Sequence, residues 1–166
     1  MDSVIQQLKN EREIIQLVNN IAIFTDMNAW EDAVTCFTDE VIVDYVSMFG
    51  GTANTLKATE MVENWKFLAG FKATHHVISN HKVTINGDNA ACFSYIDAHH
   101  YLPVETGESI WIVIGYYNHD LILTAEGWKV TRIKLNATIV TGNNQLLKEL
   151  NPATYHALQD KWKKWN

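Results

Sequence analysis

The chain has 166 residues, 47% of them apolar and 19% charged, with a net charge of −6 spread along its length. That length supports one domain with a real core, and no window approaches the run of about 18 uncharged apolar residues that a membrane span needs. The absence of a basic stripe removes the electrostatic term that drives nucleic-acid binding, so neither nucleic acid nor membrane is an expected partner. The start, MDSVIQQLKNERE, lacks the basic end and apolar run of a secretory signal, which makes the cytoplasm the expected location. Cys36 and Cys92 stand far apart and are expected to be reduced, packed thiols.

Ser3 is placed to cap a first helix, and Val4, Leu8, Ile14, Leu17, Val18 and Ile21 recur near helical spacing, which predicts a helix to about Thr25. Asn28 with Glu31 has the capping-box form ahead of a short second helix carrying Trp30, Ala33, Val34 and Phe37. Val41 to Tyr45 is a β-branched run of strand type. Met61, Trp65 and Leu68 then mark a third helix stopped by Gly70.

From Thr74 onward the pattern is β-rich: Thr74 to Ile85, Ala90 to Tyr101, Ser109 to Thr124 and Trp128 to Val140. Asn86-Gly87-Asp88, Pro103 to Gly107 and Ala125-Glu126-Gly127 separate these runs, as hairpin turns do. The runs are about twice the ordinary strand length, which predicts strands that bend into a concave antiparallel sheet. Helices supplied from one end of the chain bury their apolar stripes on one face of that sheet, leaving a pocket beneath them. The expected class is therefore α+β, with residues 1–144 as the domain and 145–166 as a helical extension of it. Tyr155, Leu158, Trp162 and Trp165 share one face of that extension, which packs either on its own sheet or at a subunit interface.

Seven histidines include two doublets, His75-His76 and His99-His100. Successive side chains on a strand alternate faces, so one histidine of each doublet points into the pocket. The pair chosen is His76 and His99, groups able to exchange protons near neutral pH, with Asp26 at the end of the first helix as the orienting carboxylate. Asp26 also reads as an ordinary turn aspartate. Asp97 shares a face with His99, and with two inward histidines it would make a facial triad, yet no helical HxxxH or second acidic ligand supports a metal. No metal or cofactor is expected. Tyr45, Tyr95, Tyr101 and Tyr117 are candidate hydrogen-bond donors to a substrate carbonyl, although each also reads as a half-buried aromatic.

Three segments in this order carry a resemblance. TDMNAWEDAVTCFTDEVIVDY at Thr25 to Tyr45, THHVISN at Thr74 to Asn80 and EGWKVTRIK at Glu126 to Lys134 resemble a SnoaL-like member of the nuclear transport factor 2-like superfamily. The resemblance covers Glu11 to Thr141 and implies a cone, with N-terminal helices on the concave face of a strongly curved sheet. Within the superfamily the segments look most like scytalone dehydratase and, more distantly, bile-acid dehydratases. Carried over, the aspartate falls on Asp26, the proton-abstracting histidine on His76, the second pocket histidine on His99 and the carbonyl-orienting tyrosine on Tyr45. What this implies is a lyase or isomerase acting on a hydrophobic, carbonyl-bearing molecule, lined by Thr25, Trp30, Tyr95, Asp97 and Tyr117, in a homodimer or homotrimer.

There are departures from that pattern. The tyrosine before the aspartate in scytalone dehydratase is Thr25 here, and Ile21 cannot replace a second clamp. A serine and an asparagine expected on the next strand fall near Gly115 and Tyr117, or Asn118 if the hairpin shifts. Ketosteroid isomerases hold a carboxylate base where this chain has Tyr45, and alternation turns the neighbouring Asp44 away. The competing readings are a non-catalytic binding or assembly domain, and a subunit like the β chains of ring-hydroxylating oxygenases, because the cone is reused widely.

Overall fold

The computed structural model describes residues 2–150. The expected helical extension with Tyr155, Leu158, Trp162 and Trp165 lies outside the described residues, apart from its first short helix. The chain opens with helix α1 (Asp2–Asp26) and α2 (Trp30–Thr35), then strand β1 (Phe37–Asp44), the single turn α3 (Val46–Phe49) and strand β2 (Asn54–Lys57). Helix α4 (Ala58–Trp65) runs into a 3-10 turn, Lys66–Gly70, before four long strands: β3 (Ala73–Asn86), β4 (Asn89–Tyr101), β5 (Ile110–Thr124) and β6 (Gly127–Gly142). The short α5 (Leu146–Glu149) follows. Among the described residues no helix is long and apolar enough to cross a membrane.

The four long strands match the predicted runs within two residues, because period-2 patterning and turn chemistry agree there. The expectations differ from the structure where local signals compete. Ser3 lies inside α1 rather than capping it. Asn28 takes a left-handed conformation, φ 55°, and Ala29 occupies the cap of α2 without a side-chain hydrogen bond, so the capping box does not form. Tyr45 sits just past the end of β1, at the N-cap of α3, rather than in the strand.

One six-stranded sheet runs β2-β1-β6-β5-β4-β3, antiparallel except where β1 pairs with β6. The helices pack on one face: Ile14, Val18 and Ile21 of α1 and Met61, Val62 and Trp65 of α4 join Val41, Cys92, Leu121, Val130 and Ile133 in the main core. A second cluster, with Phe71, Ile96, Ala98, Trp111 and Leu135, closes against Leu146 of α5. Register shifts interrupt the β3–β4 and β5–β6 ladders, and such bulges bend and coil long strands. At the bend in β5 only glycine fits: a Cβ on Gly115 would lie 2.1 Å from the Asn136 carbonyl oxygen of β6.

Candidate functional site

The sheet's inner face is set by β4, which alternates without interruption. Ala90, Cys92, Ser94, Ile96, Ala98 and His100 are all buried, and the residues between them are not. His100 therefore faces inward, and His99 does not. The same alternation turns Tyr95 and Asp97 to the convex face. There Tyr95 packs edge-on against Phe93 at 5.3 Å, and His99 Nε2 approaches Asp97 Oδ1 to 2.8 Å. Three expected site residues, His99, Tyr95 and Asp97, are thus corrected to the outer surface. Facing away from His76, Asp97 and His99 cannot share a metal with it.

On β3 the inward histidine is His76, as expected, and the way it gets there is instructive. Near the turn the β3–β4 pairs run Asn86 with Asn89, Val83 with Cys92 and Lys82 with Phe93. Beyond the shift they run Ser79 with Tyr95, His76 with Ala98 and His75 with His99. One extra residue has entered β3 around Asn80, whose φ is 54°, so two residues there oppose Ser94. An uninterrupted ladder continuing from the turn would set His76 opposite His99 and His75 opposite His100. The bulge moves β3 by one residue and brings His76 onto the face that already carries His100.

Asp26, the last residue of α1, meets His76 there. Its Oδ1 lies 2.6 Å from His76 Nδ1 and accepts the Thr74 hydroxyl at 2.7 Å, while Oδ2 accepts the His76 backbone N–H at 2.8 Å. Burial alone would raise the Asp26 pKa. The hydrogen bond and charge of His76, its backbone N–H and the Thr74 hydroxyl outweigh that and hold the carboxyl below its ordinary value. With Asp26 accepting at Nδ1, the His76 tautomer carries its proton there and leaves Nε2 as a bare nitrogen.

The His100 ring stands perpendicular to His76 with centroids 5.3 Å apart and packs on Trp111 at 4.5 Å. Its Nδ1 lies 3.1 Å from the Trp111 carbonyl oxygen, a contact that fixes the proton on that nitrogen. Burial, with the nearby His76, pushes its pKa down to about 3, so His100 is a neutral imidazole at ordinary pH. The resemblance placed a serine and an asparagine near Gly115 and Tyr117. The residues paired with His100 and Ala98 are instead Trp111 and Val113, and Gly115 and Tyr117 lie further along β5.

A cavity of about 140 Å³ lies between helices and sheet, lined by His76, His100, Tyr45, Tyr117, His119 and Thr25 among apolar side chains including Val18, Met61, Trp65 and Ile96. Tyr45 and Tyr117 are neighbours whose phenols burial keeps protonated, Tyr45 well above its ordinary pKa and Tyr117 at about 12. Thr25 cannot act as a clamp, because its hydroxyl donates to the Ile21 carbonyl at 2.7 Å. Trp30 is corrected as well: it packs against the main core at the start of α2 and does not line the cavity. Asp44 is held away from the cavity by Arg132 and Lys134, each at 3.3 Å.

Sequence reasoning missed His100 and His119. Even-numbered alternation through Ala90, Cys92, Ile96 and Ala98 would have pointed to His100. Odd-numbered alternation through Trp111, Val113 and Leu121 would have pointed to His119.

The SnoaL-like domain model matches residues 6–134. Among solved structures, protein Kfla4162 of Kribbella flavida is 29% identical with a TM-score of 0.80, covering 86% of this chain and 99% of its own. A protein of Novosphingobium aromaticivorans, provisionally assigned as a scytalone dehydratase, is 23% identical at TM-score 0.69, covering 83% and 90%. The hexachlorocyclohexane dehydrochlorinase LinA-type3 of Novosphingobium barchaimii shares the fold at 13% identity and TM-score 0.68, covering 84% and 94%. No functionally curated protein matches the chain. With the family model spanning most of the sequence, this chain belongs to the SnoaL-like domain family.

Proposed function

We propose that the chain is a small-molecule lyase or isomerase in which His76 abstracts a proton α to the carbonyl of a hydrophobic substrate. The observation that carries this reading is the largely enclosed Asp26–His76 pair, whose histidine lines a mostly apolar cavity. A carboxylate at Nδ1 fixes the tautomer and stabilises the imidazolium once it forms, the arrangement that general-base catalysis requires. The protonated phenols of Tyr45 and Tyr117, hydrogen-bonded to each other, together supply a donor for the carbonyl oxygen, where negative charge collects as the enolate develops.

The step balances on this chain's own groups. Nε2 of His76 takes the α-proton and the C–H electron pair becomes the enolate. As the carbonyl re-forms, a β-hydroxyl leaves with the proton returned by the imidazolium, giving an α,β-unsaturated carbonyl, water and neutral His76. Without a β-leaving group, return of the proton to another carbon gives isomerisation. Neutral His100 accepts a hydrogen bond from substrate but has no proton to give through Nε2, so one histidine serves as base and acid in turn. A dehydratase assignment among the structural neighbours is compatible with this chemistry but belongs to those proteins.

The test is exchange of the α-proton into deuterated water across a panel of cyclic ketones and β-hydroxyketones, with enone absorbance reporting elimination. The wild-type chain is expected to wash deuterium into at least one compound, and His76→Ala to lose 10² or more of that rate. Retention of the rate within threefold in His76→Ala overturns the assignment.

A further inference from the structure

Past the dyad, the inner face carries a second polar group. Ser94 pairs with Tyr117, and two pairs further along Cys92 lies opposite His119. Ser94 is fully buried and His119 is 2% exposed. His81 enters the same layer from the bulge, close enough to His119 to disfavour its protonation. Ser94 Oγ, His119 Nδ1 and His81 Nε2 are all buried without a hydrogen-bond partner among the described residues. Leaving one such group unpaired costs on the order of 1–3 kcal/mol, and native cores seldom tolerate three together unless something else satisfies them. His119 lines the cavity, next to the Tyr117 ring at 5.2 Å.

We propose that the inner end of the cavity, where His119 lines the wall beside Tyr117 with Ser94 and His81 in the same buried layer, is a second polar subsite that receives a hydroxyl group on the apolar body of the ligand, with His119 as the residue that selects for it. A hydroxyl both donates and accepts, which matches a neutral imidazole and a serine; a carboxylate or ammonium would bring an unpaired charge into the same layer at far greater cost. Burial keeps the imidazole neutral by pushing its pKa to about 3, so selection rests on hydrogen bonding and not on charge. The level of His119 lies six residues along β4 from that of His76, Cys92 against Ala98. That is about 20 Å of extended strand, shortened across the concave face, so the hydroxyl binds away from His76 itself. The proposal rests on the cavity being a small-molecule site but not on the proton chemistry at His76.

The experiment is a binding comparison of para-cresol and para-xylene, equal in shape with a hydroxyl in place of one methyl, on the full chain by NMR titration with ¹⁵N-labelled histidine. In wild type the His119 ring nitrogens are expected to shift with para-cresol and not with para-xylene. The cresol-over-xylene affinity ratio should fall about fivefold to tenfold in His119→Leu, stay within twofold in His119→Asn, which keeps a polar group, and be unchanged in Asp26→Asn. Should His119→Leu fail to fold, Ser94→Ala and the wild-type nitrogen shifts decide: an unchanged ratio together with silent His119 nitrogens overturns the subsite. A ratio that collapses in Asp26→Asn instead moves the hydroxyl to the dyad and also overturns it. Binding of neither compound removes the small-molecule cavity itself, whereas lost turnover with an intact cresol preference leaves the subsite standing and strikes only the lyase reading.

Discussion

Two Asp–His pairs lie on opposite faces of the same sheet at nearly the same separation, Asp26–His76 at 2.6 Å inside the cone and Asp97–His99 at 2.8 Å outside it. Inside, the side chains are 18% and 11% exposed, and the carboxylate also accepts a backbone N–H and a threonine hydroxyl. Outside they are 47% and 39% exposed, and Asp97 Oδ1 makes no hydrogen bond of good geometry despite the close approach. An exposed pair of this kind contributes little, because water screens the charges and the side chains give up rotamer freedom. What distinguishes the inner pair is enclosure and a full set of donors, which fix one tautomer and aim one nitrogen into the cavity.

The sharpest way to break this comparison is to remove each histidine in turn. His76→Ala is expected to lower kcat/KM by 10² or more, and His99→Ala to change it by less than about twofold, both measured on the compound that shows α-proton exchange. Equal losses would mean that the two faces are not functionally distinct.

The carboxylates give the next contrast. Asp26→Asn is expected to lower kcat at least tenfold, since an amide can present its N–H to Nδ1 and favour the wrong tautomer, while Asp97→Asn leaves kcat unchanged. The inner pair also has a pH signature. The folded pKa of Asp26 lies below its unfolded value near 3.8, so the stabilisation it provides is fully present above that value and is lost as the pH falls through the lower folded one. The gap in urea midpoint between wild type and Asp26→Asn should therefore be wide at pH 6 and narrow below pH 3.8.

Buried neutral histidines act over a different window. His100 and His119 have pKa values pushed from 6.5 to about 3 by burial, so below pH 6.5 the unfolded chain binds protons that the folded chain refuses. Stability then declines as the pH falls from 6.5 toward 3, by up to about 1.4 kcal/mol per pH unit for each group. Urea unfolding at pH 7, 6 and 5 should show this slope, and His119→Asn should remove about half of it.

Much of this architecture was legible in the sequence because long periodic strands and three hairpin signals agree with one another. Asp26 and His76 were legible too, one from its place at the end of the first helix and one from a strand motif. The choice between His99 and His100 was not settled by the doublets themselves, since it depends on which alternate residues of β4 face the core, a pattern carried by Ala90, Cys92, Ile96 and Ala98. Trp30 failed for another reason: an aromatic residue at the start of a short helix packs equally well on the core or over the cavity, and only the path of the chain between α1 and α2 decides. Tyr45, expected in a strand, lines the cavity from the residue just past the end of β1.

The smallest expected effect tests what assembles the inner pair at all. Asn80 holds φ near 54°, the left-handed region that asparagine and glycine tolerate and β-branched residues do not. Asn80→Gly should retain the bulge, with activity unchanged and stability within about 0.5 kcal/mol. Asn80→Val should cost about 1–2 kcal/mol if the bulge is kept, with kcat preserved. If instead the strand relieves its strain by expelling the bulge, β3 slips by one residue, His75 replaces His76 on the inner face and Asp26 loses its partner. Loss of activity would reveal that slip, and the amide cross-peaks between β3 and β4 would show His76 opposite His99 instead of Ala98. The bulge thus decides which residue of the first doublet faces inward, setting His76 and not His75 beside His100 and within reach of Asp26.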